Sequence, residues 1–195
     1  MDVLSLIKSR ESIAKVKDEE VPKEIIERLL EAAIWAPNRF LTEPWRFFIL
    51  SGEGRKPLSR ALVEIAKEGM EDINSEESLK KLKKEEEKAF RAPIIMAVAA
   101  EITNRDRVIP LEELGAVYAA VENILIMAQS EGLGAYWKTG TAIYHSKMKE
   151  LFGLTEKDEI LALIYIGYPE DHKKERKRTD FREKTRWISK DEKYF

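Results

Sequence analysis

Two uninterrupted apolar segments constrain this chain more than any other feature of its sequence. Residues 93–100 read PIIMAVAA and residues 160–167 read ILALIYIG, with no charged side chain in either segment. Runs of this length and content are typical of strands that are buried on both faces rather than on one. The two segments therefore predict two buried strands.

Helical periodicity dominates the rest of the chain. Apolar residues recur at helical spacing from Ile25 to Ile34, and Pro22 stands where a first helical turn tolerates proline. The predicted helices cover residues 2–9, 22–36, 56–90, 111–131 and 144–152. The segment 111–131 is apolar on most sides, so we expect this helix to be central or to lie at a subunit interface. Helices interleaved with a few buried strands, without a repeat or a linker, predict one α+β domain over residues 1–195.

A loop between two prolines, residues 37–44, follows the second predicted helix. A residue before proline is pushed out of the helical region, so that helix must stop before Pro37. Beyond Pro44, the aromatic and aliphatic residues 45–50 predict a strand. A further short strand and turn is predicted over residues 135–140, directly after the glycines that end the long helix.

Charge balance and the lack of cysteine exclude several classes of protein. Charged residues make up 36% of the chain but the net charge is −2, so no basic excess indicates a nucleic-acid partner. Without cysteine there are no disulfides, thiolate metal sites or cysteine nucleophiles. No apolar run reaches the roughly 18–20 residues that span a bilayer, and the first dozen residues lack the pattern of a secretory signal. We therefore expect a cytoplasmic protein without a nucleic-acid, membrane or metal partner.

The sequence offers few groups of its own for hydrolysis or metal chemistry. His145 and His172 lie in unrelated surroundings, and no Gly-x-Ser-x-Gly elbow or Walker loop is present. Carboxylates are abundant but lie in charged helical segments, such as residues 80–88, which are expected to form a solvated helix face. An enzyme of this composition would take its reactivity from a cofactor.

Three separated segments carry a family pattern. They are residues 8–13 (KSRESI), residues 32–47 with AAIWAPN and TEPWRF at their ends, and residues 131–140 (EGLGAYWKTG). Together they resemble the nitroreductase family of FMN-dependent oxidoreductases, and the first two are similar to its opening Arg-Arg-Ser-Ile-Arg segment and its AP(S/N)…QPW-(R/H)-F signature. The short loops look most like the family's small NAD(P)H nitroreductase subgroup.

The resemblance implies a fold and an activity. The fold would be α+β with three layers, a central, mostly antiparallel sheet flanked by helices, in an interlocked homodimer. The activity would be hydride transfer from NAD(P)H through N5 of bound FMN to a nitroaromatic, a quinone or a related small acceptor, by a ping-pong mechanism.

The resemblance also implies residues for the phosphate end of FMN. Arg10 and Ser12, with Glu11 alongside, would contact the phosphate or the ribityl chain, and Arg176 and Arg178 would close the phosphate site. Arginine suits this role because its planar guanidinium makes charge-assisted bonds to phosphate. Two alternatives stay open: Arg10 as a charge at a helix C-terminus, and residues 173–178 as a solvated basic tail.

A second set of residues is implied for the flavin ring. Asn38, Arg39 and Phe40 would reach across the dimer to the partner's flavin. Trp137, Lys138, Thr139 and Gly140 would lie against the isoalloxazine, where a backbone N–H of Lys138 or Thr139 would donate to N5. The alternatives are a plain interhelical turn over residues 37–44 and an ordinary core role for Trp137.

The sequence departs from the family pattern at two positions. Ala14 stands where many members have arginine or lysine, and Glu43 replaces the glutamine before Pro-Trp. The loss of one charged hydrogen bond, worth about 1.5–3 kcal/mol, would weaken FMN binding without abolishing it. These departures support one alternative, a non-catalytic flavin-binding or regulatory role on the same fold. Another flavin reaction on the same scaffold, such as reductive dehalogenation, is the other alternative.

Overall fold

The computed structural model describes residues 2–170 and 177–189. The helices are α1 (Val3–Ser9), α2 (Lys23–Ile34), α3 (Lys56–Glu68), α4 (Glu76–Glu87), α5 (Pro110–Ser130) and α6 (Ser146–Leu151). The strands are β1 (Trp45–Ser51), β2 (Ile94–Ala100), β3 (Gly134–Lys138) and β4 (Glu159–Gly167). Every predicted strand and helix is present, and one predicted helix is divided in two.

The division lies between α3 and α4. α3 ends at Glu68 and is followed by Gly69, whose low helix propensity favours an end there. α4 begins after Ser75, whose hydroxyl accepts a hydrogen bond from the Ser78 N–H at 3.2 Å. The prediction of one helix over residues 56–90 was therefore wrong, because these local end signals outweigh the charged helical pattern. α4 buries none of its residues, as expected for a solvated helix face.

The four strands form one antiparallel sheet in the order β1-β2-β4-β3. The two apolar segments of the sequence occupy its centre, where Met96 pairs with Ile164. Every residue of β2 is buried, and in β4 only Glu159 is not. The central position explains the uninterrupted apolar sequence, since both faces of these strands are covered.

Helices cover the sheet on both faces and make it the middle of three layers. α2 and α5 pack on one face, where Met96 and Val98 point, and α3 and α6 pack on the other, where Ile95 and Ala97 point. The predicted three-layer α+β fold with a mostly antiparallel sheet is thereby confirmed. The long helix α5 is central, with eight buried residues. Within the described parts of the chain, no helix is both long and apolar enough to cross a membrane.

An irregularity in β4 provides a hydrogen-bond acceptor for β3. Val98 pairs with Ala162 and Ala99 with Ile160, so Leu161 is an extra residue in the ladder, as in a β-bulge. The Leu161 carbonyl accepts a hydrogen bond at 3.1 Å from the indole N–H of Trp137 in β3. The rest of the Trp137 side chain packs against the core between the sheet and α5. Its side chain thus has the core role that the sequence left open.

The segment after α1 runs along the outer edge of β3 and the end of β4. Ser12 forms a parallel bridge with Ala135, and the Lys17 N–H donates to the Tyr168 carbonyl at 2.8 Å. Two glycines make this approach possible. A Cβ at Gly134 would lie 2.9 Å from Ile13 Cγ2, and a Cβ at Gly167 would lie 2.9 Å from Val16 Cγ2. The short segment that carries the arginine of the family pattern is therefore docked against the sheet.

Candidate active site

The end of β3 opens to solvent at the edge of the sheet. Thr139 and Gly140 follow the strand and are exposed. Gly140 has φ 135° and ψ 170°, a conformation that only glycine adopts without strain. A Cβ built there would meet no atom of the chain within 4 Å, so open space lies over this backbone. A flat group could approach the main chain closely at this point.

Arg10 lies where α1 ends and leads into the docked segment. Its backbone N–H caps α1, while its side chain is only 18% exposed and its Nε lies 3.8 Å from Oε1 of Glu122 in α5. Ser12, two residues on, is exposed beside Ala135. Thr139 follows Ala135 by four residues, which is roughly 13 Å along an extended strand. The structure therefore brings Arg10, Glu11 and Ser12 to the same sheet edge as residues 137–140.

The loop between the two prolines is held in an unusual backbone conformation. Phe40, Leu41 and Glu43 have φ values of 58°, 50° and 48°, in the left-handed region that residues other than glycine seldom adopt. The side-chain carbonyl of Asn38 accepts from the Glu43 N–H at 3.1 Å, and the guanidinium of Arg105 donates to the Phe40 carbonyl at 3.2 Å. Surrounding contacts thus maintain a loop that costs about 1–3 kcal/mol of strain per residue.

The first turn of α5 anchors this loop. Arg39 Nη1 lies 2.9 Å from both carboxylate oxygens of Glu112, and the Thr42 hydroxyl donates to Oε1 of Glu113 at 2.6 Å. Glu113 is only 2% exposed, and its Oε2 is buried without a hydrogen-bond partner in the described residues. Sequence reasoning missed Glu113, because two acids at a helix N-terminus resemble ordinary charges that favour the helix dipole.

The loop and the Arg10 segment lie apart within one chain. Arg39 contacts α5 at Glu112 and Arg10 contacts it at Glu122, ten residues and roughly 15 Å farther along the helix. Asn38, Arg39 and Phe40 are therefore not brought together with the other predicted site residues of the same chain. Of the basic residues predicted near the C-terminus, Arg178 is exposed and Arg176 lies outside the described residues.

A cavity of about 180 Å³ lies beneath the end of β3. Lys138, Lys88 and Tyr165 line it, and the Lys138 ammonium is 5.9 Å from the centre of the Tyr165 ring. Burial lowers the pKa of Lys138, and the charges of Lys88 and Arg91 lower it further. Burial also raises the pKa of Tyr165 to about 12, so its hydroxyl stays protonated at neutral pH. Sequence reasoning considered only the backbone of Lys138.

Comparison with known proteins assigns the chain to a family. The model of the nitroreductase family matches residues 7–168. The Bacillus subtilis protein named "Putative NAD(P)H nitroreductase YfhC" is 32% identical over 180 residues, which cover 92% of this chain and 90% of the relative. Escherichia coli K12 has a protein named "Putative NAD(P)H nitroreductase YdjA" that is 29% identical over 170 residues, covering 87% of this chain and 90% of the relative.

A solved structure agrees with this assignment. The nitroreductase-like family protein from Bacillus cereus superposes with a TM-score of 0.84 at 30% identity, and the match covers 96% of each chain. The three-layer fold and the sequence pattern define a flavin-type reductase scaffold. The chain belongs to the nitroreductase family of oxidoreductases, and the predicted resemblance is confirmed.

Proposed function

We propose that this protein is an FMN-dependent enzyme that passes hydride from NAD(P)H, through flavin N5, to a nitroaromatic, a quinone or a related small acceptor. The observation that carries the proposal is the exposed main chain after β3. Open space lies over Gly140, and Arg10 and Ser12 are docked along the same sheet edge. The lack of cysteine and an NAD(P)H donor both fit a cytoplasmic setting.

The residues present fit FMN. Gly140 leaves room above the backbone for a planar ring, which a side chain at this position would occupy. The Arg10 side chain is largely buried, and charge-assisted bonds from its guanidinium to a phosphate group would be stronger there than at an exposed site. Arg178 is a further cation for the phosphate. Bound FMN would supply hydride acceptance and release.

The chain's own residues would bind the flavin, orient its ring and shield it. A backbone N–H of Lys138 or Thr139 would donate at the edge of the ring, where a fixed dipole can stabilise developing negative charge. Arg10 and Ser12 would hold the phosphate end and so fix the position of the ring. Glu11 lies beside them, and the indole N–H of Trp137 in β3 donates to the Leu161 carbonyl in β4. No side chain is needed as an acid or a base.

We further propose that the active unit is a homodimer in which the loop of one copy covers the site of the other. Within one chain the loop lies roughly 15 Å along α5 from Arg10. Large apolar side chains are exposed around the loop and the start of α5, with Leu41 at 80%, Trp35 at 80% and Leu111 at 75%. A second copy would bury this surface, which monomeric proteins seldom expose. Asn38, Arg39 and Phe40 would then close the partner's site.

The test is the visible absorption spectrum after the protein is loaded with FMN and desalted. We expect flavin bands that persist and then bleach anaerobically with NADH or NADPH. Arg10→Ala should weaken FMN binding roughly ten- to a hundredfold, the effect of one charged hydrogen bond. Arg60→Ala, which removes an exposed arginine on α3, is the matched control.

Two results would contradict the proposal. A protein that stays colourless with excess FMN has no flavin site. A flavin-loaded protein that shows no turnover with several donors and acceptors would instead have the non-catalytic role on the same fold.

A further inference from the structure

The cavity under β3 brings two ammonium groups together. Lys138 extends from the end of β3, and Lys88 comes from the turn after α4. Leu62 and Leu163 form an apolar wall of the cavity, and Tyr165 lies against the Lys138 side chain. A cavity of about 180 Å³ has room for a carboxylate or a phosphate group but not for a nucleotide.

Among the residues that the structure describes, positive charges outnumber negative ones around this cavity. Glu85 is the nearby acid, and it is already ion-paired with Lys88. No ion pair of Lys138 occurs among the residues that the structure describes, and Arg91 adds another positive charge nearby. A half-buried ammonium with cationic neighbours carries an uncompensated desolvation cost. An anion in the cavity would offset that cost.

The mouth of the cavity connects it to the candidate active site. Thr139, Gly140 and Thr141 line the cavity, and all three are exposed. Thr139 and Gly140 are also residues whose main chain would face the flavin ring. A group held in the cavity would therefore belong to a molecule whose remainder lies beside that main chain.

We propose that this cavity is an anion subsite, in which Lys138, assisted by Lys88, holds the carboxylate or phosphate group of a molecule that reacts at the flavin. The link to catalysis rests on the proposed function, whereas anion binding by the cavity does not. The anionic group can come from the electron acceptor or from the nicotinamide donor. Acceptors that carry a carboxylate would then be preferred over neutral ones of the same shape.

The experiment compares wild type, Lys138→Met and Lys138→Arg as FMN-loaded proteins. Lys81→Met, an exposed lysine on α4, serves as the control. Benzoate and inorganic phosphate binding are measured by calorimetry, and KM values are measured for 4-nitrobenzoate, nitrobenzene, NADH and NADPH. We expect Lys138→Met to weaken benzoate binding and to raise the KM for 4-nitrobenzoate roughly tenfold or more, with no change for nitrobenzene. Lys138→Arg should restore most of the preference.

The outcomes separate the sources of the anion. A raised KM for 4-nitrobenzoate alone assigns the subsite to the acceptor, and a raised KM for the nicotinamide donor alone assigns it to the donor. Lys138-dependent benzoate binding without any turnover would support the subsite while the proposed function fails. Equal losses with 4-nitrobenzoate and nitrobenzene would overturn the proposal, as would unchanged anion binding in Lys138→Met. Weaker FMN binding with an unaltered preference for the carboxylate would assign Lys138 to the flavin and overturn it too.

Discussion

The centre and the edge of the sheet are held in different ways. The side chains of β2 and β4 are buried on both faces and almost all of them are apolar, and seven consecutive residues of β2 pair with β4. β3 has five residues, an exposed tyrosine at position 136, and support from an indole hydrogen bond and a glycine-mediated contact. The comparison teaches that most of the buried apolar surface lies in the centre, whereas the candidate site lies at an edge strand, which is held by its pairing with β4 and by a few specific side-chain and glycine contacts.

The centre should show the largest loss on truncation. Ile164→Ala removes a side chain that is fully buried and paired with Met96. We expect the free energy of unfolding to fall by about 2–5 kcal/mol, because the transfer and cavity terms add. Urea unfolding measures it, and Leu79→Ala, on the exposed side of α4, should change stability by less than about 0.5 kcal/mol. Similar losses for both variants would contradict the division into centre and periphery.

The edge should be sensitive to added volume rather than to removed volume. Gly167→Ala places a methyl group 2.9 Å from Val16 Cγ2 and 2.9 Å from Pro93 Cδ. We expect a loss of about 1–3 kcal/mol from overpacking, together with displacement of the docked segment. Gly54→Ala meets open space and is the control. If both alanine variants unfold at the same urea concentration, the close approach does not constrain the segment.

Acidification should destabilise the junction between Asp158, which precedes β4, and Ile102, which follows β2. Asp158 is 2% exposed and accepts hydrogen bonds from the Thr155 and Ile102 N–H groups, each at 2.8 Å. Burial raises the pKa of Asp158, but the bonds from Thr155 and Ile102 outweigh it and leave the pKa below its usual range. A lowered pKa stabilises the fold above the unfolded-state pKa, and this contribution disappears as the pH falls through the folded-state pKa.

The corresponding variant is Asp158→Asn. Its free energy of unfolding should be about 1.5 kcal/mol below that of the wild type near neutral pH, and this difference should shrink from about pH 4 downward. Urea titrations at several pH values measure this difference. A deficit that does not vary with pH would mean that the charge of Asp158 does not stabilise this junction.

The smallest expected effect concerns the anchor of the strained loop. Thr42→Val leaves Glu113 without the hydroxyl that donates to Oε1, and we expect a loss of about 1 kcal/mol. The double variant Thr42→Val/Glu113→Met removes both polar partners and should recover part of this loss. A double variant less stable than Thr42→Val alone would show that the buried carboxylate has another role in the fold.

Periodic, local features were predictable from the sequence, and contacts between distant segments were not. The apolar runs identify β2 and β4, and helical spacing identifies α2 and α5 to within two residues. Gly69 and Ser75 were visible as signals for the ends of helices, but the long charged pattern obscured them. The bulge at Leu161 and the unpartnered oxygen of Glu113 depend on packing between segments far apart in the chain, which no local pattern encodes.

The candidate site shows the same limit. The family pattern named Arg10, Ser12 and residues 137–140, and the structure places them along one edge. The family pattern did not indicate the cavity under Lys138, because Lys88 lines that cavity from a different layer of the fold. Only the three-dimensional arrangement of the α4 turn and β3 brings the two ammonium groups together.

The docked segment after α1 has a consequence for the order of events during synthesis. Ser12 pairs with Ala135 and Val16 with Pro169, partners about 120 to 150 residues away in the chain. A ribosome releases residues 10–17 early, yet their place does not exist until β3 and β4 have been made. Arg10 can therefore reach its place in the candidate site only after nearly the whole domain has been synthesised. A nascent chain would gain the ability to hold a cofactor only as its last central strand closes.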